Sequence, residues 1–223
     1  MTNNRIVFLV EGDTEIWFVN HCIIPFLYSI PEAIEHEWTM SAQKVTTNRK
    51  KNAKGGVVSY HLVKNEINRV RSQGSPWITT LFDFFQLPSS FPCFKGGYES
   101  IHGGFFEDIQ YERLLPYIQK YEFEAFLFCV PEAFERLDID AKQLAQIVSI
   151  SKKYKVVEDI NGGLETAPSK RLKGIFHYEK EQDSRVVLMG IPMEIIMERS
   201  PHFKEWIENL VRIVRGEEPV VRY

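Results

Sequence analysis

Cysteine is scarce in this chain of 223 residues, and the three present, Cys22, Cys93 and Cys129, are odd in number and widely spaced. That argues against a disulfide framework and against the close Cys/His spacing of a zinc module. Buried free thiols in a reducing compartment are the expectation. Charge of one sign is also missing overall. The 27 Lys and Arg against 30 Asp and Glu give a net charge of −3, so no global field marks a nucleic-acid or membrane binder, and any such signature must be local. No run approaches the roughly 18 consecutive apolar residues of a membrane span. Met1-Thr-Asn-Asn has neither a charged n-region nor an apolar h-region after it, so a cytosolic, unprocessed protein is expected. There is no Walker A loop, no Rossmann glycine fingerprint and no nucleophile elbow. The six histidines do not recur at ligand spacing.

What is present begins at Arg5-Ile-Val-Phe-Leu-Val-Glu-Gly-Asp-Thr-Glu15. Ile6 to Val10 is short, apolar and rich in β-branched residues, which reads as a buried strand. Gly12 supplies a turn, and Asp13 or Thr14 is expected to N-cap a helix whose apolar stripe is Ile16, Val19, Ile23 and Leu27. The strand therefore delivers Glu11 to its carboxyl end, with Glu15 one helical turn further on. In open α/β sheets the crevice beyond the strands' carboxyl ends is where ligands bind.

A second strand is expected over Ile34 to Met40, after which the chain turns basic. Between Ser41 and Gln73, Lys44, Arg49, Lys50, Lys51, Lys54, Lys64, Arg69 and Arg71 stand against the single anion Glu66, a local excess of +7. Through Gly55-Gly56 this segment has the composition of a loop; beyond it, Val58, Leu62, Ile67 and Val70 are near helical spacing. A solvated basic face and a phosphate-binding surface account for such a run about equally well. Pro76 to Phe82 reads as another buried strand, and it again ends in a carboxylate, Asp83. If both strands lie in one parallel sheet joined by crossover helices, Glu11 and Asp83 emerge on the same edge. Two such carboxylates suit hard Mg²⁺ or Mn²⁺, which water and substrate phosphate oxygens complete.

Phe84 to Gly104, rich in Pro, Gly, Ser and Phe, reads as a long loop over that edge. Leu115 to Phe128 reads as a third strand running into a helical apolar segment with Glu122 and Glu124 at the junction; Glu124 is the acid that needs a partner if buried. The C-terminal third is mostly helical. Thr166 is an N-cap candidate ahead of Pro168, and Lys170 and Arg171 sit in a first helical turn, where cations are disfavoured unless an anion is near. Ser200-Pro-His-Phe begins a packing helix with Phe203, Ile207 and Leu210 on its core face. The expected architecture is an α/β core over residues 1–130 with a helical extension over 131–223, forming one compact unit.

Leu9-Val-Glu-Gly-Asp-Thr-Glu15 resembles the first acidic motif of Toprim-type domains, particularly those of the OLD-family nucleases, with Asp83-Phe-Phe at the place of their later aspartate-rich turn. The chain is closer still to an uncharacterised bacterial family, a domain of unknown function related to Toprim. That resemblance runs through Thr80-Leu-Phe-Asp-Phe-Phe85, Lys120-Tyr-Glu-Phe-Glu-Ala-Phe-Leu-Phe128, Glu165-Thr-Ala-Pro-Ser-Lys-Arg171 and Ser200-Pro-His-Phe203, so it spans most of the sequence. It implies a Toprim-like, mainly parallel α/β fold and a Mg²⁺- or Mn²⁺-dependent nuclease acting on DNA or RNA. Glu11, Asp83 and Glu124 would be metal ligands and Glu15 a supporting carboxylate. Arg49, Lys50, Lys51, Lys54, Lys170 and Arg171 would contact phosphate. It also implies an AAA- or ABC-type ATPase partner in antiviral defence. One departure matters: the Toprim pattern has Asp-x-Asp, and here Phe85 stands at the second acid. A catalytically inactive Toprim-like subunit that binds or regulates an ATPase is the alternative expectation.

Overall fold

A run with no polar side chain, such as Ile6 to Val10, is stable as a strand only when both its faces are covered. In the computed structural model, which describes residues 4–45, 59–85, 87–160, 163 and 165–220, it forms β1 (Arg5–Val10), with Ile6 through Val10 fully buried. After β1 come α1 (Asp13–Phe18), a π turn (Val19–Ile23), α2 (Ile24–Tyr28) and α3 (Pro31–Glu35). Pro25 has no N–H to donate back to the carbonyl of His21, and the helix widens into the π turn just ahead of it. Val19, Ile23 and Leu27 of the expected stripe are fully buried. The next strand starts later than its composition suggests. Pro31 opens a helical turn, so Ile34 is helical and β2 spans Thr39–Lys44. As a sheet edge, β2 keeps a polar, partly exposed pattern.

The basic segment resumes as α4 (Tyr60–Arg71), N-capped by Ser59, whose hydroxyl accepts from the Leu62 N–H. Then come β3 (Trp77–Asp83), α5 (Tyr98–Ile109), β4 (Leu114–Leu115) and β5 (Ile118–Gln119). β1 pairs in parallel with β2 and β3, and β3 in parallel with β4, giving the order β2-β1-β3-β4, while β5 also pairs with β3. Val63, Ile67 and Val70 of α4 share one core cluster with Val7, Leu9, Ile78 and Phe82 of the strands and Ile101, Phe105 and Ile109 of α5. The stretch expected as a continuous loop over Phe84 to Gly104 therefore carries most of α5, because Ile101 and Phe105 fall one helical turn apart and bury together. Gly104 permits this packing: a Cβ there would lie 2.9 Å from the Pro92 carbonyl.

The chain divides into two compact units, Met1–Ile118 with Asn209–Tyr223, and Gln119–Glu208. The first holds β1 to β4. Its returning segment is fixed where the Val214 carbonyl accepts from the Trp38 indole N–H at 2.9 Å.

The second unit is built almost wholly of helices. A 3₁₀ segment (Phe123–Cys129) and another (Pro131–Arg136) precede α6 (Ala141–Lys153), whose Asp140 and Gln143 form a reciprocal capping box. A 3₁₀ turn (Val157–Asp159), α7 (Pro168–Ile175), α8 (Lys180–Leu188) and α9 (Met193–Arg199) follow, and α10 (Pro201–Val214) begins in this unit. The third strand expected from Leu115 shrinks to the two-residue β4 and β5. Beyond them, Phe123 to Cys129 is buried on every side, which a tight 3₁₀ coil permits and a one-faced strand does not. Phe126 packs on Phe203 at 4.8 Å between ring centroids. Arg199 ties the unit together, donating to the carbonyls of Phe128, Cys129, Ser151 and Tyr154 and to the Ser151 hydroxyl.

Candidate active site

The sheet order fixes where a ligand crevice lies. From β1 the chain moves outward to β2, then crosses back over β1 to β3 and onward to β4. These crossovers run in opposite directions, so right-handed connections place their helices on opposite faces and open a gap between the carboxyl ends of β1 and β3. Glu11 leaves β1 and Asp83 ends β3 at this switch point. The two strands are register neighbours, Val10 lying opposite Leu81, and both acids are partly exposed.

Glu15 belongs to the same corner. The helix N-cap is Gly12, without a side-chain cap, so neither Asp13 nor Thr14 takes that expected role. Glu15 is 4% exposed, and its carboxylate folds back over the turn: a Cβ at Gly12 would sit 2.7 Å from Oε2. Gly12 has an extended backbone that any residue adopts, so a side chain there would have to displace only the end of the Glu15 carboxylate from its place over the turn. Asp13 instead faces Lys44 at the end of β2, whose Nζ donates to both carboxylate oxygens at 2.7 and 2.9 Å. Lys44 lies opposite Val10, so three adjacent parallel strands present Lys44, Glu11 and Asp83 along one edge. The sequence shows Lys44 only as one cation of eight; its place depends on where β2 ends.

Past Asp83 the chain carries aromatic rings. The Phe84 ring lies 6.0 Å from that of Phe94 and 5.9 Å from that of Tyr98. All three are half-buried and packed against the core cluster. Phe85, at the position of the missing acid, is also half-buried.

Among the described residues, no group of three or more His, Cys, Asp or Glu side chains is placed to hold a metal ion. The thiols do not supply one either: Cys22 is partly buried, Cys129 buried and, against expectation, Cys93 exposed. Burial pushes the Cys22 and Cys129 thiols up to about 12, away from thiolate character.

Of the remaining residues singled out from sequence, Glu124, Lys170 and Arg171 belong to the second unit. Glu124 is buried in the second unit, 3.5 Å from Lys180, whose ammonium lies over the Phe123 ring. Its neighbour Glu122 accepts from the backbone N–H and hydroxyl of Ser169 at 2.9 and 3.0 Å. Glu122 thus caps α7, which begins after Ala167 and takes no cap from Thr166. The anion at this helix start is the protein's own carboxylate. Arg171 donates to the Thr166 carbonyl at 2.7 Å, and Lys170 is exposed. Arg49, Lys50, Lys51 and Lys54 lie outside the described residues.

Sequence reasoning did not single out Glu158. It is fully buried, and its two oxygens accept from the N–H groups of His202 and Phe203 at 3.0 Å each, at the start of α10. Burial pushes its carboxyl up to about 7, against the lowering effect of those two bonds.

The fold and this edge define a mainly parallel α/β protein with carboxylates at adjacent strand ends. More particularly, the model of a family described as a domain of unknown function, DUF4276, matches residues 10–211, and the chain belongs to that family. No curated protein and no solved structure matches it. No helix among the described residues is long and apolar enough to cross a membrane.

Proposed function

We propose that the carboxyl edge of the first unit is the centre of a Toprim-like, Mg²⁺-dependent phosphodiester hydrolase acting on DNA or RNA. The observation that carries this reading is that Glu11 and Asp83 leave adjacent parallel strands at the switch point of the sheet. The donor set fits the ion. Both groups are hard oxygen ligands, and Mg²⁺ is commonly held by one or two carboxylates while water and substrate phosphate complete its shell. Glu11 and Asp83 would hold it, and with Phe85 in place of a second acid after β3 the reading is of one metal, not two. When bound, such an ion polarises a phosphoryl oxygen and lowers the pKa of coordinated water. The chain's own residues do the rest. Glu15, folded over Gly12, presents an acceptor beside the β1 turn that can orient a water, and Lys44 offers a cation to a phosphate oxygen.

The test is cleavage of a panel of single- and double-stranded DNA and RNA with Mg²⁺ or Mn²⁺. Glu11→Gln and Asp83→Asn should each reduce cleavage to the level of the metal-free control while the protein stays folded. Full activity in both variants would overturn the reading. Phe85 in place of an acid favours a second reading, a non-catalytic subunit that keeps the shape and binds nucleic acid or an ATPase partner of AAA or ABC type. Calorimetric titration separates the two. Mg²⁺ or Mn²⁺ binding that is lost in Asp83→Asn belongs to the enzyme, and no binding heat in the presence of an oligonucleotide belongs to the subunit.

A further inference from the structure

The aromatic residues beyond β3 have no part in metal or phosphate chemistry, yet they adjoin it. Side chains alternate along β3, and Phe82 lies in the core cluster formed with α4 and α5, so Phe84 falls on that same face, where it packs. Asp83 falls on the other face, with Leu81 and its register partners Val10 and Lys44. The edge is therefore two-sided: Asp83 and Lys44 lie on one side, and on the other lie the aromatic rings together with Glu11, which continues the Val7 and Leu9 face. The rings are held in place. Cys93 and Gly97, with φ of 56° and 84°, bracket the 3₁₀ turn Phe94–Gly96. This turn sets Phe94 and Tyr98 against Phe84 and leaves Lys95 exposed between them. Half-buried rings flanking an exposed lysine, here Lys95, are a surface on which unpaired bases stack while phosphates are neutralised, and paired bases cannot offer their faces in this way.

Resting on the hydrolase reading above, we propose that this edge takes a single-stranded nucleic acid, with a backbone phosphate at Lys44 and unpaired bases on Phe84, Phe94 and Tyr98. The strand lies over the sheet edge, its backbone on the Lys44 and Asp83 side and its bases on the α5 side. Asp13 holds Lys44 in position between binding events through its two short contacts.

Binding tests this without requiring cleavage. The full chain is titrated, with Ca²⁺ in place of Mg²⁺, into a fluorescein-labelled mixed-sequence oligonucleotide, once as a single strand and once as the duplex, and anisotropy is read. The single strand should bind at least about tenfold tighter. Phe94→Leu or Tyr98→Leu should each weaken it by about tenfold with little change for the duplex, the loss expected for one stacked base. Lys44→Met should lower the slope of log affinity against log salt by about one, and Lys44→Arg should restore it. Wild-type protein should also change the fluorescence of 2-aminopurine placed in the single strand, which reports stacking whether or not the leucine variants fold. Equal or tighter duplex binding, or an unchanged 2-aminopurine signal at saturation, overturns the proposal. Its failure is distinct from that of the hydrolase reading: duplex cleavage that depends on Glu11 would leave the enzyme standing and remove the single-strand preference. Single-strand stacking without cleavage would do the reverse.

Discussion

The two units use carboxylates in opposite ways. In the second unit, Glu122 and Glu158 are buried, and each is consumed by the start of a helix, Glu122 at α7 and Glu158 at α10. Asp183 does the same within α8, accepting from the Glu179 N–H at 2.7 Å. The first N–H groups of a helix have no intrahelical partner, so a buried helix start needs an acceptor, and a carboxylate also meets the positive end of the dipole. In the first unit, Glu11 and Asp83 sit at strand ends, partly exposed. A strand end has no comparable set of orphan donors, so acids there are not needed to satisfy the backbone. Glu122, Glu158 and Asp183 of the second unit thus read as structural, and the half-exposed acids at the sheet edge of the first as candidates for chemistry.

The hardest blow to that contrast would come from Glu158. Glu158→Ala should cost about 3 kcal/mol at pH 6, because two buried N–H groups lose their acceptor. Its titration gives a second handle. The folded-state value of about 7 lies above the ordinary 4.5, so the folded protein holds a proton that the unfolded chain releases. Stability from this group is complete below about pH 4.5 and is lost as pH rises through 7, amounting to about 3 kcal/mol at the upper bound. Glu158→Gln, which cannot ionise, should flatten the urea-unfolding free energy across that interval, at a lower overall level because its amide nitrogen cannot accept from the second N–H. A wild-type curve that rises from pH 5 to 8, with the same slope in Glu158→Gln, would remove Glu158 from the account.

A smaller effect is expected at Glu122. Glu122→Ala should lower stability by about 1 to 2 kcal/mol, since Ser169 loses its acceptor but lies partly exposed, where water can replace it. Thr166→Ala should change little, because Thr166 does not cap α7. Reversal of that order in thermal melts would restore the local cap that the sequence suggests.

The same pair shows what could be read beforehand. Pro168 marks the start of α7 by its fixed φ and missing N–H, both local properties, but its cap comes from Glu122, 47 residues away from Ser169. Local rules nominate Thr166 because they see only neighbours. β1 and β3 were legible since five consecutive residues that suit a buried strand, all apolar in β1 and Ile-Thr-Thr-Leu-Phe in β3, admit few alternatives, and Glu11 and Asp83 followed from where those runs stop. β2 was displaced because an edge strand lacks an apolar signature, and Lys44 was hidden with it. The 3₁₀ segment Phe123–Cys129 resembles a strand by composition and is decided by packing on all sides. Glu158, flanked by Val157 and Asp159 in an unremarkable stretch, gains its role only from the distant start of α10.

The smallest stability effect is the most informative. Glu11→Gln and Asp83→Asn keep side-chain size and remove one charge each at partly exposed positions. Surface changes away from caps and cores usually move stability by no more than about 0.5 kcal/mol. Each variant should therefore melt within that margin of the wild type in metal-free buffer, and removing like charge near Glu15 could raise stability slightly. Adding Mg²⁺ with a short oligonucleotide should then raise the melting temperature of the wild type and leave both variants unmoved, because a ligand stabilises only the state that binds it. If instead either substitution costs as much as Glu122→Ala in metal-free buffer, that acid serves the fold. The division between structural and chemical carboxylates would then have to be redrawn through the first unit itself.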